Sequence, residues 1–225
     1  WSCVGLHWPE KIVGSCILLF WVMVPYFWFQ HHHQGVRCVV EPGWFDRLVP
    51  FHPMWGIPYL FLYPMALLAT LCLTDHLALR RWWVVNGLMP LPAWTCFYFV
   101  QTEYPRPTGG PWPWPYSAIV EVDAPLNVTP CLHSAYALLA AFLLAQTLRV
   151  CRPAWAGMWA VTLLVLVSIV GTRQHRVVDV LLGSLLAAVA WAWFRWTCGH
   201  ARQSAQTTGQ NQGRGPPNSP ALKKN

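Results

Sequence analysis

The chain has 225 residues, of which 55% are hydrophobic and only 10% charged, with a formal net charge of +7. A soluble domain carries about 25% charged residues, so this composition, with a mean hydropathy of +0.34, excludes an ordinary soluble fold and points to a membrane protein. The positive charge is dispersed over the ends of apolar runs rather than gathered into a patch, which excludes a nucleic-acid binder.

Segment 12–29 is the first apolar run, about as long as a bilayer-crossing helix requires. No small-residue cleavage motif follows it, so it reads as a span and not as a signal peptide. The tract Gln30-His31-His32-His33-Gln34 reads as an interfacial loop, because adjacent residues on a helix do not face one site. Segment 54–73 is the second span. Asp75, Arg80 and Arg81 separate it from the third, 82–100, which Pro90 and Pro92 kink or break. The polar stretch 101–129 contains Gly109-Gly110-Pro111-Trp112-Pro113-Trp114-Pro115 and resists a regular helix, while its tryptophans suit a membrane interface. Segments 133–148, 155–170 and 177–196 are the fourth, fifth and sixth spans.

The predicted fold class is therefore all-α: a polytopic membrane protein with six transmembrane helices in one domain, 1–197. A polar tail, 198–225, has the composition of a disordered segment. Six spans put both termini on one side. Ten of the 15 basic residues but only two of the eight acidic ones fall on that side, so the termini are expected in the cytoplasm. The opposite face, periplasmic, extracellular or lumenal, then carries the histidine tract, the Pro/Trp stretch and Gly171-Thr172-Arg173-Gln174-His175-Arg176-Val177-Val178-Asp179. None of the eight cysteines forms a CxxC pair, so neither a metal site nor a disulfide framework is expected. Cys131 can be read as a reactive thiol at a helix start. Asn127-Val128-Thr129 reads as a glycosylation sequon, but Pro130 and the nearby site argue against its use.

Charge is scarce elsewhere, yet Arg173, His175, Arg176 and Asp179 lie within seven positions. With the chain helical from Val177 onward, His175 and Asp179 are expected one turn apart on one face, and the carboxylate can hold the imidazole's tautomer. Arg106, in Tyr104-Pro105-Arg106-Pro107, and His133 arrive on the same outer face. Two histidines, a carboxylate and several arginines suit phosphoryl transfer: arginines neutralise phosphate oxygens, one histidine attacks phosphorus and the other protonates the leaving oxygen.

Three ordered motifs carry a resemblance. Pro130-Cys131-Leu132-His133-Ser134-Ala135 resembles the Pro-Ser-Leu-His-x-Ala motif of the type 2 phosphatidic acid phosphatase superfamily. Ser168, His175 and Asp179 match the spacing of its Ser-Arg-x5-His-x3-Asp motif, with Gly183 behind them. Tyr104-Pro105-Arg106-Pro107 is similar to its Arg-Pro motif. The match is nearest to the Gln-His branch that includes inositol-phosphorylceramide and sphingomyelin synthase relatives. The resemblance implies that His175 is the nucleophile, forming a phosphohistidine, that Asp179 orients it, and that His133 protonates the departing alkoxide. It implies that Arg106, Cys131 and Ser168 contact phosphate, with Arg173 supplying charge where Ile169 replaces the family's arginine; Phe99 stands where the family has a lysine. It implies no cofactor. The expected function is a metal-independent lipid phosphatase acting on phosphatidic acid, a polyprenyl phosphate or diphosphate, or a similar bilayer lipid. Two alternatives stay open: a lipid phosphotransferase, and a catalytically silent lipid-binding protein.

Overall fold

The structure is a computed structural model that describes residues 8–32, 34–148 and 151–213, with side chains as far as position 199. Cys3, His33, Arg149 and the last part of the expected tail, 214–225, lie outside the described residues.

The chain is predominantly helical. The first apolar run forms α1 (Trp8–His31), uninterrupted by Pro25. A short helix, α2 (Trp44–Arg47), follows a four-residue strand, β1 (Val36–Val39). The second run begins with a 3-10 turn at Pro53–Trp55 and continues as α3 (Gly56–Tyr59) and α4 (Leu62–Leu71). Asp75 then caps α5 (His76–Leu88) by accepting the Ala78 N–H at 2.8 Å. The expected break falls between α5 and α6 (Leu91–Phe99), with Pro90 as N-cap of the second piece. A missing N–H and a fixed φ favour proline at a helix start and disfavour it inside, although membrane helices tolerate it, as α1 does Pro25.

Among the described residues, four helices are long and apolar enough to cross a membrane: Trp8–His31, Pro53–Leu71, Arg152–Gly171 and Val177–Gly199. The last two belong to α9 (Arg152–Gly171) and α10 (Val177–Gly213). Between the second and third of them lie the broken α5–α6 pair and an apolar helix of 17 residues, α8 (Leu132–Leu148). Apolar side chains cover the outer faces, with Ile17, Phe20, Leu163, Leu181 and Val189 all exposed, as lipid-facing helices require.

The centre of the bundle is α8, packed against α4, α9 and α10. Its buried Ala135, Ala137, Ala140 and Ala141 let the neighbouring backbones approach closely, the usual device where no hydrophobic effect drives helices together in lipid. A close approach to α8 is at Gly183 of α10, where a Cβ would overlap the Cys131 carbonyl oxygen and Ser134 Oγ.

Three features depart from the reading of the sequence. An all-α chain was expected, but β1 pairs in parallel with β2 (Val100–Glu103), Val36 opposite Val100 and Val39 opposite Glu103. The Pro/Trp stretch does contain a helix, α7 (Tyr116–Val122), started by Pro115. Helix α10 continues to Gly213, past Cys198 where a disordered tail was expected to begin. Ala201, Arg202, Gln203, Ala205 and Gln206 are good helix formers, so an established helix can propagate through them.

Candidate active site

The loops at one end of the bundle are stitched together by polar contacts. The ribbon joins the segment after α1 to the one after α6. Asp46 of α2 accepts the N–H of Gly43 at 2.6 Å with one carboxylate oxygen and the N–H of Val177 at 2.6 Å with the other. A carboxylate on the first N–H of α10 complements that helix's dipole. Arg173, left-handed at φ 56°, donates to the carbonyls of Asp46 and Val49 at 2.9 and 3.3 Å. It thereby ties the α9–α10 turn to the α2 loop.

His175 and His133 meet beneath these loops. His175 lies in the turn before α10 and is 3% exposed. Its Nδ1 is 2.7 Å from the Val128 carbonyl, and its Nε2 is 3.0 Å from His133 Nδ1. His133, in the first turn of α8, has its Nε2 2.7 Å from the Tyr59 hydroxyl. A carbonyl only accepts, so His175 carries its proton on Nδ1. Burial, reinforced by His133, pushes the His175 pKa well below its ordinary value, although the Val128 hydrogen bond opposes this. The ring is therefore neutral at neutral pH, with a lone pair on Nε2. His133 Nδ1–H then donates to that lone pair, and the Tyr59 O–H donates to His133 Nε2. One backbone carbonyl sets the tautomers of the whole relay.

Asp179 is not the group that orients His175. It is fully buried and accepts from the Arg176 backbone N–H at 2.9 Å, from the Arg176 side chain at 3.0 and 3.2 Å, and from Thr129 Oγ1. Helix α10 does start at Val177, as expected, but the pairing with Asp179 does not follow, because His175 lies two residues before the helix, in the turn, and its ring nitrogens face Val128 and His133. Asp179 instead caps the helix start and holds Arg176 and Thr129.

Arg106 anchors a second network. It donates to the backbone carbonyl and carboxylate of Asp123, to the Ala124 carbonyl and to Gln174 Oε1. Asp123 also accepts from Tyr26 and Gln30 of α1, so a buried polar network links α1, the Pro/Trp stretch and the residue before His175. Arg106 Nε, Gln174 Nε2 and Asn127 Nδ2 are buried donors with no partner among the described residues. Asn127 is itself 1% exposed and left-handed, so the sequon is sealed from solvent.

Cys131 closes the site from below. It is fully buried and accepts the Ser134 N–H on Sγ at 3.4 Å. Burial pushes its thiol pKa up to about 12, which makes it a neutral thiol and removes the reading of Cys131 as a nucleophile. Ser168 is not part of the site: its hydroxyl donates to the Val165 carbonyl at 2.6 Å inside α9. Arg173 also turns away from the histidines, toward α2.

Sequence reasoning missed Tyr59, Asp123, Asp46 and the Val128 carbonyl. Tyr59 sits in an apolar run without a local signal, and a backbone carbonyl has no residue-type signature at all. Compared with protein-family models, with curated proteins and with solved structures, the chain matches none.

Proposed function

We propose that the protein is an integral-membrane, metal-independent lipid phosphatase resembling the type 2 phosphatidic acid phosphatases. The observation that carries the reading is the facing pair, His175 Nε2 and His133 Nδ1, 3.0 Å apart, with His133 at the wall of an apolar cavity. That cavity, about 310 Å³, is lined by Leu18 and Val22 of α1, Leu62 and Leu67 of α4, and Leu132 of α8. It offers an apolar tail a place beside the histidines, which favours a lipid over a water-soluble phosphate ester. The unpartnered donors on Arg106, Gln174 and Asn127 suit phosphate oxygens, since a buried N–H without a partner is costly.

In this reading the six spans comprise the four long helices, the α5–α6 pair and α8. The termini are cytoplasmic, and the site opens toward the other face. The phosphoryl group enters between the two histidines and displaces His133 Nδ1–H from His175 Nε2. The Nε2 lone pair attacks phosphorus while the ester P–O bond breaks. His133, doubly protonated once the phosphate dianion is beside it, gives its Nδ1 proton to the leaving oxygen. A hydroxyl both donates and accepts, so Tyr59 serves both protonation states of His133. Water, deprotonated by neutral His133, then attacks the phosphohistidine and frees His175.

The test is phosphate release from a panel of lipid phosphates by the detergent-purified protein, in EDTA, with and without a ceramide or diacylglycerol acceptor. We expect release, lost by about 10²–10⁴-fold in His133→Ala and abolished in His175→Ala. Unchanged turnover in His175→Ala, or loss of activity in EDTA, overturns the mechanism. Headgroup transfer without phosphate release makes the protein a phosphotransferase, and no turnover on any donor makes it a lipid-binding protein.

A further inference from the structure

We infer that Cys131, His133 and His175 form a binding site for one thiophilic divalent cation, of which Zn²⁺ is the natural example. One ring nitrogen of each histidine and the Cys131 thiol lie within 4.8 Å of one another. Cys131 is fully buried, His175 nearly so, and His133 half-buried. Two histidines and one cysteine are a donor set of the kind tetrahedral Zn²⁺ takes with its fourth position open, at about 2.0–2.1 Å to nitrogen and 2.3 Å to sulfur. Two nitrogens so bound lie about 3.3 Å apart, against the 3.0 Å that separates His133 Nδ1 from His175 Nε2. The rings need part by only a few tenths of an ångström, while the sulfur, within 4.8 Å of the ring nitrogens, closes to about 3.5 Å of them, a shift of up to about 1 Å.

The tautomers accommodate the ion. His175 already holds its proton on Nδ1 against the Val128 carbonyl, which fixes Nε2 as the ligand atom and supplies the outer hydrogen bond that metal-bound histidines use. His133 moves its proton from Nδ1 to Nε2, where the Tyr59 oxygen accepts it. Cys131 gives up its thiol proton to solvent. One proton is released for each cation bound, and nothing is oxidised or reduced. Position 131 makes the difference: a serine there would leave only two nitrogens, whereas a thiol is soft enough for Zn²⁺ or Co²⁺.

Occupied, the site takes the Nε2 lone pair that attack on phosphorus requires, so Zn²⁺ silences the enzyme. That consequence alone rests on the proposed activity; binding is read without turnover. Detergent-purified full-length protein, stripped with chelator, is titrated with Co²⁺ in the absence of substrate. The expected result is one equivalent retained, with a thiolate-to-cobalt charge-transfer band. Loss of an outer-shell partner alone typically costs about 10–100-fold in metal affinity. Cys131→Ser and His175→Gln are therefore each expected to weaken retention at least about tenfold, and Cys131→Ser to remove the band. X-ray absorption of the Zn²⁺-loaded wild-type chain needs no variant and is expected to read one sulfur at about 2.3 Å. Failure to retain stoichiometric Co²⁺, a first shell without sulfur, or wild-type affinity in either variant overturns the site.

Discussion

Two contacts and its burial govern His175, and their roles separate cleanly. The Val128 carbonyl fixes the proton on Nδ1, His133 occupies Nε2, and burial keeps the ring neutral. For a histidine whose folded pKa is depressed, the neutral, attacking form survives below the ordinary value of about 6.5 and is lost only as pH falls through the lower folded value. The acid limb of kcat/KM is therefore expected below pH 6.5 or so; a limb at or above that value contradicts the arrangement. The same shift favours the unfolded state in acid, because only the unfolded chain takes up the proton below about pH 6.5. Asp179→Asn is expected to lower thermal stability, since the carboxylate accepts from Arg176 and Thr129, and to leave the acid limb where it is. Movement of that limb in Asp179→Asn would restore Asp179 as the orienting group. Tyr59→Phe removes one hydrogen bond from His133, and kcat is expected to fall about 2–10-fold.

At the scale of elements, the site depends on how closely α10 lies against the start of α8. Ser134 Oγ donates toward both the Cys131 and Val180 carbonyls, at 3.0 and 3.1 Å, and the Cys131 N–H reaches the Asp179 carbonyl at 3.1 Å. Gly183→Ala would force a methyl group against backbone that cannot yield. It is expected to destabilise by about 1–3 kcal/mol and to lower activity by displacing His133. Gly157→Ala, with open space around it, is the control, and equal melting temperatures for the two variants would refute the close approach. The helices and the His133 and His175 motifs were legible in the sequence because long apolar runs and scarce charge leave strong one-dimensional signals. The ribbon was not: Val36–Val39 is four residues with every side chain exposed, so it lacks the alternation that marks a strand. Nor was the clamp at Asp46, whose partners Gly43 and Val177 are 3 and 131 positions away. The start of α10 at Val177 was legible; the misreading of Asp179 came from carrying helical spacing back to His175, since a spacing of four means one face only when both residues lie inside the helix.

For the whole molecule, two ends differ in chemistry. At the end away from the histidines, Lys11 donates to the Leu71 carbonyl at 2.8 Å and His76 pairs with Glu10 at 2.8 Å, which closes α1 onto the α4–α5 turn. The other end carries the ribbon and the histidines. Native cysteines mark both ends, since Cys38 lies on β1 and Cys151 precedes α9, and both are exposed. In sealed cells or vesicles, variants retaining only Cys38 or only Cys151 are expected to react with an impermeant maleimide from opposite sides, Cys38 from the non-cytoplasmic face. Labelling of both from one side contradicts the six-span arrangement.

Because a main-chain oxygen aims His175, the control of its tautomer is carried by every amino acid that could occupy position 128. A saturation scan would therefore score Val128 for size and packing and register nothing of its electronic role. Replacing the 128–129 amide by an ester, which weakens that oxygen as an acceptor while keeping every side chain, would expose it once the Thr129 N–H bond to Thr102 Oγ1, lost in the same change, is controlled for by Thr102→Ala. A lineage of this chain can drift at position 128 and keep its chemistry, so long as the loop keeps its path.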